Sequence, residues 1–147
     1  MAKSILKKNT KKSKTINFTN TGNFTGFNNS VIKHLLENKE QQTIEIIDYI
    51  YPITKLSKSS YQIKDHINLS GVNPLKGPEF ISLTNIYKSR NGIVVCGLKE
   101  GIHLNSHEKN VLSKANINAY CYNLIPTAIF ATFLGLKIKA TGVIPNF

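Results

Sequence analysis

Asp65-His66-Ile67-Asn68-Leu69-Ser70-Gly71-Val72-Asn73-Pro74-Leu75-Lys76-Gly77-Pro78 is the stretch whose reading decides the fold. Ile67 and Leu69 close an alternating run that begins at Tyr61, which is the period of a strand. Gly71, Pro74, Gly77 and Pro78 then follow in quick succession, so the backbone must leave the strand and turn repeatedly. A strand running into an ordered, irregular loop is expected.

Upstream, residues 1 to about 16 are polar and basic without an apolar period, which predicts a disordered or loosely attached tail outside the core. A glycine-containing loop, Thr21 to Phe27, leads into a helix capped by Asn29 or Ser30, with Val31, Ile32, Leu35 and Leu36 as its apolar stripe. Thr43 to Ile53 is rich in Ile and Tyr and reads as a strand ending near Pro52; Lys55 to Ser60 is a polar turn.

Downstream, Gly92 to Leu98 is a compact apolar strand of the kind buried on both faces. Asn105 and Glu108 form a capping box for a helix whose buried side would hold Val111, Leu112 and Ala115. A strand from Ile117 to Leu124 follows, then a helix opened by Pro126, apolar on every side through Leu134 and closed by Gly135. Leu136 to Val143 alternates Leu136, Ile138 and Ala140 against Lys137, Lys139 and Thr141, the pattern of a half-exposed strand near an edge. Strand and helix alternate from Gly92 onward, which is an α/β pattern.

At 147 residues the chain has room for one domain with a sizeable core, and its longest apolar stretch, Ala128 to Leu136, is too short to cross a bilayer. The basic start is not followed by a secretory apolar segment, so a cytoplasmic protein without membrane contact is expected. Cys96 and Cys121 fall on separate strands without metal-binding spacing and read as buried reduced thiols. His103 and His107 could share a helix face, but no third ligand accompanies them, and neither a metal nor a cofactor is expected. The formal net charge of +11 raises nucleic acid as a partner. Against it, the charge concentrates in Lys3, Lys7, Lys8, Lys11, Lys12 and Lys14, and Arg90 is the sole arginine. Bidentate readers of bases and phosphates are therefore lacking, and a general drift toward Lys, Asn and Ile explains the charge as well.

The quoted stretch resembles a signature of the homotrimeric purine nucleoside phosphorylases, Asp-His-Ile-Asn-Leu, then Gly, then Asn-Pro-Leu-x-Gly-Pro. The likeness extends to Phe80 through Tyr87, which is similar to that family's Phe-Pro-x-Met-x-x-Ala-Tyr, and from Gly92 to Asn146 nearly without gaps. It covers Tyr61 to Phe147 well and Thr21 to Ile53 weakly. The resemblance implies an α/β fold, a partial purine/uridine phosphorylase-like arrangement with a mixed β-sheet flanked by helices, occupying residues 17–147 behind the tail. The chain is identified as a shortened, degenerate member of a family whose chains are about twice as long.

The family's reaction, phosphorolysis of purine nucleosides to free base and ribose 1-phosphate, needs a held phosphate and hydrogen bonds to the departing purine. By the resemblance, His103 stands where a glutamate binds the base, with Lys99 and Glu100 replacing the Gly-Pro before it. Tyr122 stands for a methionine under the ribose, and Asn123 for a phosphate-binding serine. Asn146 matches the purine-binding asparagine, and Gly22, Asn23 and Gly26 are weakly similar to the phosphate loop. Where the family carries Thr-Asn-Ala-Ala-Gly, this chain has Glu45-Ile46-Ile47-Asp48-Tyr49, whose side chains would fill the nucleoside space. These changes imply loss of activity, with phosphate a co-substrate only if activity survived. The alternatives are a non-catalytic purine- or nucleoside-binding module, a subunit that docks on another or forms a homo-oligomer, and a basic nucleic-acid binder.

Overall fold

The computed structural model describes residues 14–71, 74 and 86–146. Most of the Gly/Pro loop and of the Phe80 to Tyr87 segment, and the tail up to residue 13, lie outside the described residues. The strands are β1 (Thr15–Asn17), β2 (Thr43–Tyr49), β3 (Tyr51–Pro52), β4 (Ser60–Asn68), β5 (Ile93–Gly97), β6 (Ala119–Cys121) and β7 (Lys137–Val143). The helices are α1 (Asn29–Glu37), α2 (Ser106–Lys114) and α3 (Leu124–Phe133). This is the expected α/β class with a mixed sheet. No described helix is long and apolar enough to cross a membrane.

The strands form one sheet in the order β1-β2-β7-β4-β5-β6-β3. β1, β2 and β7 run parallel, β4 runs antiparallel to β7 and parallel to β5 and β6, and β3 is antiparallel to β6. Only Ile50 separates β2, second in this order, from β3, the last, so the sheet curls back toward itself. The sequence reads 43–53 as a single strand; in the structure its first part pairs with β1 and β7, and Tyr51 and Pro52 cross to β6. Gly142 makes that crossing feasible. A Cβ there would stand 2.5 Å from Cγ2 of the fully buried Ile50, so any larger residue on β7 would push the crossing point away. Beyond Pro52, the Ile53 and Thr54 N–H groups donate to the Asn118 carbonyl at 2.8 and 3.1 Å and fasten the seam to β6.

Residues 15–16 correct the tail boundary. Ile16 is 0% exposed, and burying an isoleucine side chain contributes about 1.5 to 3 kcal/mol, enough to draw a short basic segment onto the sheet as β1. The outer edge of β1 is closed by a side chain rather than a strand. Asn17 N–H donates to Asn23 Oδ1 at 2.9 Å, Asn23 Nδ2 donates to the Thr15 carbonyl at 3.3 Å, and Phe24 N–H donates to the Asn17 carbonyl at 3.1 Å. These bonds use the groups that would otherwise template a further strand.

α1 and α3 cover one face of the sheet. Val31 and Leu35 of α1 join Leu124, Ile125, Ala128 and Ala131 of α3 over Ile44, Ile46, Ile63, Ile138 and Ala140. α1 is capped one residue earlier than expected, by Asn28, whose side chain accepts from Ser30 N–H at 3.0 Å, and Leu36 is left 45% exposed. α3 ends as Gly135 predicts, with Leu136 N–H donating to the Ala131 carbonyl at 3.0 Å and Gly135 N–H to the Thr132 carbonyl at 2.9 Å.

Two expectations are overturned. α2 has its capping box, Asn105 and Glu108 bonded reciprocally at 2.8 and 2.9 Å, but no fully buried residue: Val111 is 54% exposed and Ala115 exposed, with Leu112 alone packing on a small cluster of Cys96, Leu98, Ile117 and Tyr120. β7 lies at no edge. It sits between β2 and β4, and its lysines are exposed because no described helix covers that face of the sheet. Its alternation reports a one-sided sheet, a distinction period-two patterning cannot make. β5, by contrast, is buried on both sides as expected, with Ile93 and Val95 in the main core and Cys96 in the smaller one.

The quoted stretch and the Phe80 to Tyr87 segment lock together here through His66 and Tyr87. His66 Nδ1 lies 2.5 Å from the Tyr87 hydroxyl, and the rings meet edge to face with centroids 5.5 Å apart. Tyr87 forms a parallel bridge with Ile138, so this contact ties β4 to β7 through the side chains. His66 Nε2 is buried without a hydrogen-bond partner, and burial pulls the imidazole down to about 4 in spite of nearby Asp65, so the ring is neutral. Cys96 and Cys121 are both free and buried, as the sequence indicates, and they face different clusters.

Candidate active site

The polar centre of the molecule is Asp48 at the end of β2. It shares the inward parity of Ile44 and Ile46, is 3% exposed, and points at the start of α3. Its Oδ2 accepts from Asn123 N–H at 3.0 Å and Leu124 N–H at 2.9 Å, and its Oδ1 accepts from Tyr49 N–H at 2.8 Å. A helix start presents unpaired N–H groups and a partial positive charge, which a carboxylate satisfies. Burial nevertheless dominates and pushes the Asp48 carboxyl up to about 6, against the pull of the Asn123, Leu124 and Tyr49 bonds.

Asn123 lies at this point, and Gly26 is beside it: a Cβ on Gly26 would stand 3.7 Å from Asn123 Oδ1. The two segments assigned to anion binding therefore converge on the α3 terminus, yet the N–H donors there are already held by Asp48. Gly22 and Asn23 serve otherwise. Asn23 closes the β1 edge, and Gly22 sits in a turn, its N–H donating to the Thr19 carbonyl at 2.8 Å. A Cβ at Gly22 would fall 2.1 Å from the Asn17 carbonyl oxygen, which belongs to a strand and cannot yield. Gly22→Ala should therefore destabilise by about 2 to 3 kcal/mol in urea unfolding; a midpoint unchanged within error would show that the turn can shift.

Beside Asp48, β3 and β6 carry an aromatic cluster. Tyr51 and Tyr120, paired across the strands, stack with centroids 5.3 Å apart, and Tyr122 tilts against Tyr51 at 5.5 Å. The exposed His103 meets Tyr51, Tyr120 and Tyr122 edge on, with Nδ1 3.1 Å from the Tyr120 hydroxyl and 3.4 Å from that of Tyr122. The Tyr122 hydroxyl donates to the Ile102 carbonyl at 2.6 Å, and burial, aided by Tyr120 and Tyr51, pushes that phenol up to about 12. The three phenols, each raised by burial, are neutral near pH 7. The cluster offers ring faces and weak hydrogen bonds but no ionised acceptor.

His103 and Tyr122 are thus neighbours, and Asn123 follows Tyr122 directly. Asn146 is exposed in a turn beyond β7, with φ 56°, and among the described residues the hydrogen bonds and ring contacts of the cluster do not include it. His103 also precedes α2, so it does not share a helix face with His107. Among the described residues no group of three side chains suited to a metal ion occurs. Nothing in the sequence distinguishes Tyr51 and Tyr120, because β-strand tyrosines give no signal apart from their pairing.

No family model matches the chain, and no curated protein does. Among solved structures it is similar to purine nucleoside phosphorylases of Schistosoma. With the enzyme in complex with guanosine the TM-score is 0.67 at 18% identity, over 80% of this chain and 57% of that one. With the complex holding hypoxanthine the values are 0.62 and 18%, over 72% and 50%. With the Schistosoma mansoni enzyme bound to BCX-34 they are 0.61 and 17%, over 70% and 50%. The chain spans about half the length of the solved structures it matches. The shared property is the fold: the curled mixed sheet and its helices correspond to part of a purine nucleoside phosphorylase.

Proposed function

We propose that this chain is a purine nucleoside phosphorylase-like protein that does not carry out phosphorolysis. One observation carries the reading: the Asp48 carboxylate accepts the Asn123 and Leu124 N–H groups. Above about pH 6 a phosphate approaching the same donors would meet a like charge. At about 4 Å, with an effective dielectric near 20, that repulsion amounts to about 4 kcal/mol for each unit of charge, roughly a thousandfold in affinity.

The aromatic cluster supports the reading further. A departing purine carries negative charge, and stabilising it calls for donors or for a protonated or ionised partner fixed in place. His103 is an exposed imidazole engaged by two tyrosine hydroxyls. The carboxylate that the resemblance would put at this position is absent, and losing a charge-assisted hydrogen bond forfeits about 1.5 to 3 kcal/mol.

The test is direct. Folded protein incubated with inosine and phosphate should release no hypoxanthine above a protein-free control. Steady turnover of many equivalents per chain would overturn the proposal.

A further inference from the structure

We propose that the uncovered face of the sheet around β7 binds the sugar-phosphate backbone of single-stranded nucleic acid. The inference is independent of the nucleoside reading, since the face lies opposite the α1 and α3 layer. Register places Thr43 beside Lys137, Glu45 beside Lys139 and Ile47 beside Thr141, with Thr15 next to Glu45 and Gln62 next to Thr141. These positions are the half-exposed or exposed ones of their strands, whereas Ile44, Ile46, Ile138 and Ala140 are buried under α1 and α3.

Lys88 adds a third cation to this face. Its N–H donates to the Ile138 carbonyl at 2.8 Å, and the preceding Tyr87 pairs inward with Ile138, which places exposed Lys88 at an outward position alongside β7. Among the described strand residues paired with β7, Glu45 is the one acid on this face. It is already engaged, accepting from the Thr15 hydroxyl at 3.0 Å and lying 3.8 Å from Lys139. Three lysines against one glutamate leave the face positive, in keeping with the formal net charge of +11.

The chemistry points to phosphates rather than bases. Lysines on alternate residues of a strand stand about 7 Å apart, a regular spacing that suits a repeating charge. Lys137 and Lys139 alternate with buried apolar side chains, and Thr43, Thr141 and Gln62 beside them supply hydroxyls and an amide for phosphate oxygens. Lysine is a point charge without the planar fork that reads bases, so binding should be indifferent to sequence and sensitive to salt. The lysine-rich stretch before residue 14 is a rival source of the same affinity, and an acidic polypeptide is a rival ligand.

The experiment measures anisotropy of a labelled oligothymidylate against the full chain from about 50 to 200 mM salt. Its first variant is Lys88→Gln/Lys137→Gln/Lys139→Gln, and its second has Lys3, Lys7, Lys8, Lys11 and Lys12 all replaced by Gln. Circular dichroism confirms that each folds. Removing three phosphate contacts should reduce the slope of log affinity against log salt by about 2, from about 0.7 per contact, in the first variant. The second variant should keep that part of the slope. An unchanged slope in the first variant, no binding by the unmodified chain at the lowest salt, or equally tight binding of polyglutamate would overturn the proposal.

Discussion

Asp48→Ala is expected to be among the most damaging single substitutions in the chain, lowering stability by about 4 kcal/mol at pH 5. It orphans three backbone donors at once, the N–H groups of Asn123, Leu124 and Tyr49. Each buried, unsatisfied donor costs about 1 to 3 kcal/mol, and half-exposed Asn123 lets water recover part of that. Because the Asp48 carboxyl is pushed up to about 6, its contribution is greatest below about pH 4 and declines as pH rises through 6. The same substitution should therefore cost about 1.5 kcal/mol less at pH 8 than at pH 5. Asp48→Asn, which keeps an acceptor for the helix start, should cost about 1 kcal/mol. Urea unfolding of both variants at the two pH values checks this; equal losses for Ala and Asn would mean that the three bonds do not hold α3 in place.

The signal for Asp48 lies in the parity of β2. Ile44, Ile46 and Asp48 have the same parity, so a period-two reading of β2 places a carboxylate on the buried face, where a partner is obligatory. What was legible instead was its bulk, the expectation that Glu45 to Tyr49 would fill space. The partner itself was not legible, because Asn123 and Leu124 are more than seventy residues away and their relevance depends on where a helix begins.

Local devices read well, and relations between distant elements did not. The Asn105 and Glu108 capping box and the Gly135 stop depend on residues within one turn, and both are in place. The change of partner at Ile50 depends on Gly142, and the one-sided exposure of β7 depends on what fails to cover it; neither leaves a trace in the local pattern. The strand from Tyr61 was legible, but the use of His66 was not. The alternation marks a strand, while the contact with Tyr87 requires knowing that the quoted stretch and the Phe80 to Tyr87 segment meet.

Acidification provides the second large effect, and it is concealed in the unmodified chain. Burial pulls the His66 imidazole down to about 4, from an ordinary value near 6.5, so it contributes stability above pH 6.5 that is lost as pH falls through 4. Between pH 7 and 4 that loss is about 3 kcal/mol. Asp48 runs the other way. A carboxyl raised to about 6 gains stability as it protonates, about 2 to 3 kcal/mol over the same interval. The two nearly cancel, so the difference between variants is the informative quantity. Asp48→Asn removes the compensating group and should become about 2 to 3 kcal/mol more acid-sensitive than the unmodified chain. His66→Gln, which keeps a hydrogen-bonding group for Tyr87, should become more stable on acidification relative to it by about 3 kcal/mol. Urea midpoints at pH 7 and 4 measure both. Parallel pH profiles for all three proteins would mean that neither side chain titrates away from its ordinary value. Asp48 would then stay ionised down to its ordinary value near 4, and the exclusion of phosphate from the start of α3 would no longer turn near pH 6.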